Sequence, residues 1–132
     1  MAASNNTVMT MIVAIVVVTI FSAAAADQGF ATFYTQYTPS ACNGFQNDGV
    51  MIAAASDPIF ANKAACNRRY RVKCISGTNA VANPCRSGSV IVKVVDRCPS
   101  PHCRGTLDLS REAFSRIANP DAGKVKIEYT RI

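Results

Sequence analysis

The sequence contains no tryptophan and a single histidine, His102. A lone imidazole wedged between Pro101 and Cys103 reads as an exposed loop residue, and it leaves no Ser–His or Cys–His arrangement for nucleophilic catalysis. Zinc would need paired ligands at C-x2-C spacing, which the cysteines do not provide. Neither a metal nor any other cofactor is expected. Exposed aromatics interleaved with cations are missing as well, which argues against nucleic acid as a partner. No internal repeat or linker breaks the chain.

Charge is absent from the first 26 residues, which hold no Lys, Arg, Asp or Glu. Val8 to Ala26 is almost continuously apolar and ends in Ala24-Ala25-Ala26, the small-residue pattern of signal cleavage. The expectation is a signal peptide over residues 1–26 and one small domain over 27–132. The apolar run approaches the roughly 20 residues of a membrane span, so a retained signal anchor is the competing reading. The sequon Asn5-Asn6-Thr7 lies inside the leader and predicts no glycan.

What is present begins with six cysteines, Cys42, Cys66, Cys74, Cys85, Cys98 and Cys103, all beyond the leader. An even number in a small exported domain reads as three disulfides formed in an oxidising compartment. All 14 Lys and Arg and all 8 Asp and Glu also lie beyond the leader, and they give the domain its net +6. In an extracellular setting that charge either keeps the protein soluble or gathers it at acidic polysaccharides and anionic headgroups.

Ser89 to Val95 is apolar on nearly both parities and should be a central strand. Val125, Ile127 and Tyr129 alternate with Lys124, Lys126, Glu128 and Thr130, the period of a strand with one wet face. Along Arg68 to Ile75, Tyr70, Val72 and Cys74 share one face opposite Arg69, Arg71 and Lys73. With Arg68 these form a cationic stripe, which is either a solvated face that discourages edge pairing or a contact for pectin or a membrane-surface receptor. Gly29 to Tyr34 and Val50 to Ala55 read as further strands, and Ser56-Asp57-Pro58 as a turn or short helical start. Ser110 is a good N-cap for a helix to about Ile117, with Glu112 in its first turn and Leu109 placed to staple onto Phe114. Many short strands, one helix and crowded turns argue for an all-β barrel.

The motifs Thr32-Phe33-Tyr34, Cys66 to Cys74, Val94-Val95-Asp96-Arg97-Cys98-Pro99, and Leu107-Asp108-Leu109-Ser110 followed by Ala113-Phe114 and Ile117-Ala118 resemble the first domain of expansins. They are most similar to the plant natriuretic peptides, single-domain expansin-like proteins also described as family-45 endoglucanase-like. The resemblance covers about Gln28 to Ile132. It implies a disulfide-stapled, barwin-like, six-stranded double-psi β-barrel, secretion to the plant apoplast, and a role in water and solute homeostasis. It also implies that Thr32 and Tyr34 floor a polysaccharide groove flanked by Asp96 and Asp108, and that the bridges are Cys42–Cys66, Cys74–Cys85 and Cys98–Cys103. Expansins carry His and Phe before the second aspartate, where this sequence has Thr106 and Leu107, and Trp where it has Phe33, so the aromatic platform is thinner. Their second, carbohydrate-binding domain has no counterpart here before Ile132.

Inverting glycoside hydrolysis needs an acid of raised pKa and a base carboxylate across the bond. Asp108 is the candidate acid. Related endoglucanases place the base directly after the first-strand aromatic pair, but Thr35-Gln36 follows Phe33-Tyr34, and Asp48 and Asp96 are substitutes away from that position. Read without the resemblance, Asp108 is a capping carboxylate near the helix start and Asp96 a strand-end acid paired with Arg97 or Arg104. The expectation is a monomeric, non-catalytic extracellular protein, signalling or wall-associated. Its partner is a cell-wall polysaccharide or a plasma-membrane receptor, with peripheral membrane contact allowed. The rivals are a weak β-glucan hydrolase and a barwin-like defence protein that binds chitin or pectin.

Overall fold

Residues 12–18 and 25–132 are described by the computed structural model, so the predicted leader lies largely outside the described residues. Among them no helix is long and apolar enough to cross a membrane. The elements in chain order are β1 (Asp27–Tyr34), β2 (Ile52–Ser56), α1 (Asp57–Phe60), β3 (Arg69–Gly77), β4 (Ser89–Cys98), β5 (Leu107–Ser110), α2 (Arg111–Ile117), a 3-10 turn (Pro120–Ala122) and β6 (Val125–Arg131). The strands close into a barrel in the order β1-β5-β2-β4-β3-β6. β1 runs parallel to β5 and β2 parallel to β4, while the other neighbours are antiparallel.

Alternation along the strands decides what lies inside. Ala31, Ala53, Ala55, Val72, Val92, Val94, Leu107, Leu109, Val125 and Ile127 fill the core. Each fully buried Val, Leu or Ile contributes roughly 1.5–3 kcal/mol. α2 adds Ala113, Phe114 and Ile117 to the same core, and Phe33 meets the Phe114 ring with centroids 5.0 Å apart. The Ser110 hydroxyl caps α2 by accepting the Ala113 N–H at 3.0 Å. Three disulfides staple the loops: Cys42–Cys66, Cys74–Cys85 and Cys98–Cys103. A domain this small has a marginal core, so the cross-links matter to its stability.

The structure departs from the sequence expectations at several points. Asp108 is not a capping carboxylate: it lies within β5, a strand of four residues too short to announce itself by alternation, and Ser110 does the capping. Arg97 turns away from Asp96 and binds Asp57 through Nε at 2.5 Å and Nη2 at 3.1 Å. β4 is two-faced over its first half, with Ile91 42% exposed, and only at a bulge do Val94 and Val95 both become buried. β2 begins at Ile52, leaving Val50 exposed in the preceding loop, where its carbonyl accepts the Ser110 hydroxyl. Arg68 precedes β3 and is half-buried. Its N–H goes to Ala65 and its carbonyl to Val94, so it stands apart from the row Arg69, Arg71, Lys73.

Candidate glycan-binding groove

Strand register builds one row across four neighbouring strands. Thr32 on β1 is opposite Asp108 on β5, Asp108 is opposite Ala54 on β2, and Ala54 is opposite Asp96 on β4. The bulge at Val95 completes the row, because β2 advances from Ala53 to Ala54 while β4 advances from Val94 to Asp96. These residues take the parity opposite to the core residues Ala31, Leu107, Leu109, Ala53 and Ala55. The row therefore lies on the outside of the barrel wall. Two strand spacings, about 10 Å, separate the Asp96 and Asp108 backbones, and Ala54 between them is buried.

Each acid of the groove is held. The Thr32 hydroxyl donates to Asp108 Oδ1 at 2.8 Å. Burial pushes the Asp108 carboxyl above the ordinary aspartate range, the Thr32 hydrogen bond opposes this, and the charge of Asp96 adds to the rise. Asp96 Oδ1 accepts the backbone N–H groups of Ala41 at 3.0 Å and Arg97 at 2.9 Å. Tyr34, two residues along β1 from Thr32, has a buried hydroxyl with no hydrogen-bond partner among the described residues. Burial raises its pKa far above the phenol range, and Asp96, Asp108, Tyr37 and Asp48 push the same way, so it stays a protonated donor. A buried donor left unpaired is rare. Its ring meets Tyr37 edge-on at 5.3 Å, and the Tyr37 hydroxyl donates to Glu112.

Asp48 belongs to the rim. Its side chain, 4% exposed, accepts from Lys93 Nζ at 2.7 Å, Gln46 Nε2 at 2.8 Å and Asn43 Nδ2 at 3.0 Å. The Lys93 hydrogen bond holds this carboxyl below the usual range against the opposing effect of burial. So engaged, it is poorly placed to serve as a catalytic base. Phe33 is directed to the core and not to the groove, with Arg111 over its other surface at 5.8 Å. Thr106 braces β1 from the side: its hydroxyl accepts the Phe30 N–H at 3.1 Å beside Gly29, where any side chain would collide with it. Tyr129 packs against the core and meets Tyr70 at 6.0 Å. His102 is exposed.

The cationic row stands on β3, the neighbour of β4, and Arg69 is opposite Lys93 of the Asp48 cluster. Arg69, Arg71 and Lys73 alternate outward along β3, flanked by Ile91 and Ser89 of β4 and by Thr130 and Glu128 of β6. None of the three forms an ion pair among the described residues. No group of three His, Cys, Asp or Glu side chains among those residues is arranged to hold a metal ion.

Sequence reasoning weighed Asp48 only as a substitute base, and it did not find Tyr37, Ile52 or Ala54 as parts of this face. The small-residue run Ala53-Ala54-Ala55 and the turn pairs Asn43-Gly44 and Asp48-Gly49 were the available signals.

A closed barrel with two parallel crossings and two acids on its outer wall has the architecture of the double-psi β-barrel, and comparison with known proteins agrees. The apo expansin of Clavibacter michiganensis superposes with a TM-score of 0.63 at 27% identity, over 82% of this chain and 50% of that one. A variant of that expansin in complex with cellohexaose gives 0.60 at 28% identity over the same shares. The chain thus spans about half the length of the expansin. A family-45 endoglucanase in complex with cellobiose shares the fold at a TM-score of 0.56 and 15% identity, over 85% of this chain and 82% of that one. In sequence, a family model described as lytic transglycolase matches residues 52–129. An EG45-like domain containing protein of Citrus jambhiri is 62% identical over 114 residues, covering 85% of this chain and 86% of that protein. EG45-like domain containing protein 2 of Arabidopsis thaliana is 46% identical over 110 residues, with 83% of each covered. The chain belongs to this EG45-like, expansin-like family.

Proposed function

We propose that residues 27–132 form a secreted, non-catalytic, glycan-binding domain of the plant apoplast, exported by the leader at residues 1–26. Its role is wall-associated or signalling, in water and solute balance. The observation that carries the binding reading is the row Thr32–Asp108–Ala54–Asp96 beside the unpartnered Tyr34 hydroxyl. Fixed carboxylate acceptors beside a protonated phenol match the hydroxyl-rich edge of a sugar chain, and an expansin of the same fold is described with cellohexaose. The basic row on β3 adds a second contact, for pectate or an anionic membrane surface.

A second reading, weak β-glucan hydrolysis, is favoured by one observation: Asp108 has a raised pKa and Asp96 shares its row. In that case protonated Asp108 would donate to the glycosidic oxygen while Asp96 took a proton from water. Against it, the position after Tyr34 holds Thr35, and Asp48 is engaged by Lys93.

The test is a binding panel of cellohexaose, xyloglucan, mixed-linkage glucan, chitin oligomers and pectate with purified mature protein, alongside reducing-end release. The expected result is saturable binding of a neutral glucan with no release of reducing ends. Release abolished by Asp108→Asn would establish the hydrolase instead. Absence of binding to every glycan would remove the groove reading and leave the receptor.

A further inference from the structure

The loop between Ser40 and Ile52 carries Phe45, whose side chain stands 83% exposed. Single exposed apolar residues are common on protein surfaces, but this ring sits on a loop fixed at many points. Cys42 is bridged to Cys66. Ser40 and Gly44 exchange backbone hydrogen bonds at 2.8 and 3.0 Å, and Asn43, Gln46 and Lys93 all converge on Asp48. Gly44 and Gly49, at φ +58° and +75°, supply the left-handed turns on either side. The ring is thus held in water by a rigid frame, where a mobile loop could have folded it back onto the surface.

A cleft of roughly 350 Å³ opens beside it, lined by Tyr37, Phe45, Gln46, Asp48, Val50 and Ile52. This cleft adjoins the groove at Tyr37 and Ile52. Ile52, a buried side chain of the cleft, takes the same parity on β2 as Ala54, which lies between the two aspartates in the row, and Tyr37 packs against Tyr34. Within the groove, Phe33 is committed to Phe114 and Arg111 and Tyr34 meets Tyr37 edge-on, whereas the Phe45 ring beside it is exposed.

We infer that Phe45 is a sugar-stacking platform at the end of this groove, taking the apolar face of one ring of a neutral glucan chain whose other rings lie along the row that carries Asp108 and Asp96. The inference rests on the glycan-binding reading of the groove. A hexopyranose with all its hydroxyls equatorial presents axial C–H bonds on both faces. An aromatic ring accepts such a face through dispersion and its negative π surface, while the hydroxyl rim is left for carboxylates and amides such as Gln46. The acids of the groove make it a poor site for uronates, whose like charge would be repelled. The ligand class is therefore neutral, which separates this platform from the basic row on β3.

Because the sequence lacks tryptophan, Phe45→Trp would be the sole indole in the protein. Calorimetric titration with cellohexaose should show Phe45→Ala weakened about tenfold, Phe45→Trp at least as tight as wild type, and no change in pectate binding. Melting temperatures should agree, since the ring contributes little to the core. The Phe45→Trp emission should shift on adding cellohexaose and stay unchanged with pectate. Phe45→Ala binding as tightly as wild type, or an indole unmoved at saturating cellohexaose, overturns the platform while leaving the groove reading intact. If wild type and Phe45→Trp both fail to bind cellohexaose, the glucan reading of the groove falls and the platform falls with it.

Discussion

The barrel wall carries a row of acids that reaches β4 and a row of cations along the adjacent β3, and the two sets are held differently. Asp96, Asp108 and Asp48 each receive hydrogen bonds from named partners: backbone N–H groups, the Thr32 hydroxyl, and Lys93 with two amides. Arg69, Arg71 and Lys73 stand outward with no ion-pair partner among the described residues. Fixed groups impose register on a ligand, as a sugar with directional hydroxyls requires. Free cations on flexible stems offer a field without register, which suits a long polyanion. One small barrel can in this way present a shaped site and an unshaped one on adjacent strands, the first ending at β4 and the second on β3.

The largest effect that bears on this contrast is expected from Cys42→Ala with Cys66→Ala. A loop of 24 residues is closed by that bridge, and opening it should cost about 3 kcal/mol in urea unfolding. It should also weaken cellohexaose binding, because the Ala41 N–H on Asp96 and the Asp48 cluster both depend on this loop. Pectate binding to the folded variant should persist. Equal loss on both faces would mean that the two sites are not independent.

Next in size is charge reversal on β3. Arg69→Glu with Arg71→Glu should reduce pectate binding at low ionic strength on the order of tenfold or more, with cellohexaose binding unchanged. Wild-type pectate binding should itself fall steeply between about 20 and 200 mM salt. Pectate binding indifferent to salt would show that the row is only a solvated surface.

The smallest effect concerns Asp108. Burial raises its pKa in the folded chain, so the native state holds this proton more tightly than the unfolded state does. The stability from that proton is complete at low pH and is lost as pH rises through the raised range. Asp108→Asn should therefore melt higher than wild type at pH 7, by a small margin, and the two proteins should converge as the pH falls below the aspartate range. It should weaken glucan binding at the same time, since the amide keeps the shape and loses the charge. A variant less stable at every pH would assign Asp108 to the scaffold.

Much of the barrel could be read directly from residue alternation. β3 and β6 announce themselves through Tyr70, Val72 and Cys74 and through Val125 and Ile127. α2 is visible in its cap at Ser110 and its stop at Asn119-Pro120. β5 escaped because four residues, Leu107 to Ser110, hold too little alternation to separate a strand from a helix approach. Ile91 looked buried because apolar parity cannot tell a core strand from one that offers an isoleucine to a charged outer face. In the groove, Thr32, Tyr34, Asp96 and Asp108 came from family resemblance. Their adjacency is a matter of register, and register here depends on a one-residue bulge at Val95 that no local pattern signals. Asp48 with Lys93, 45 residues apart, and the Asp57–Arg97 pair are likewise products of tertiary folding.

The position of β1 in the ring has a consequence for how the protein is made. Its neighbours are β5 and β6, so Ala31 waits for Leu107 and Asp27 for Tyr129. The strand that supplies Thr32 and Tyr34 is thus first to be synthesised and cannot pair until nearly the whole chain is available. Such distant pairing makes for slow folding and leaves an unpaired apolar strand in the meantime. The oxidative closure of the Cys42–Cys66 and Cys74–Cys85 loops can proceed during that interval, and it shortens the search that β1 must complete last.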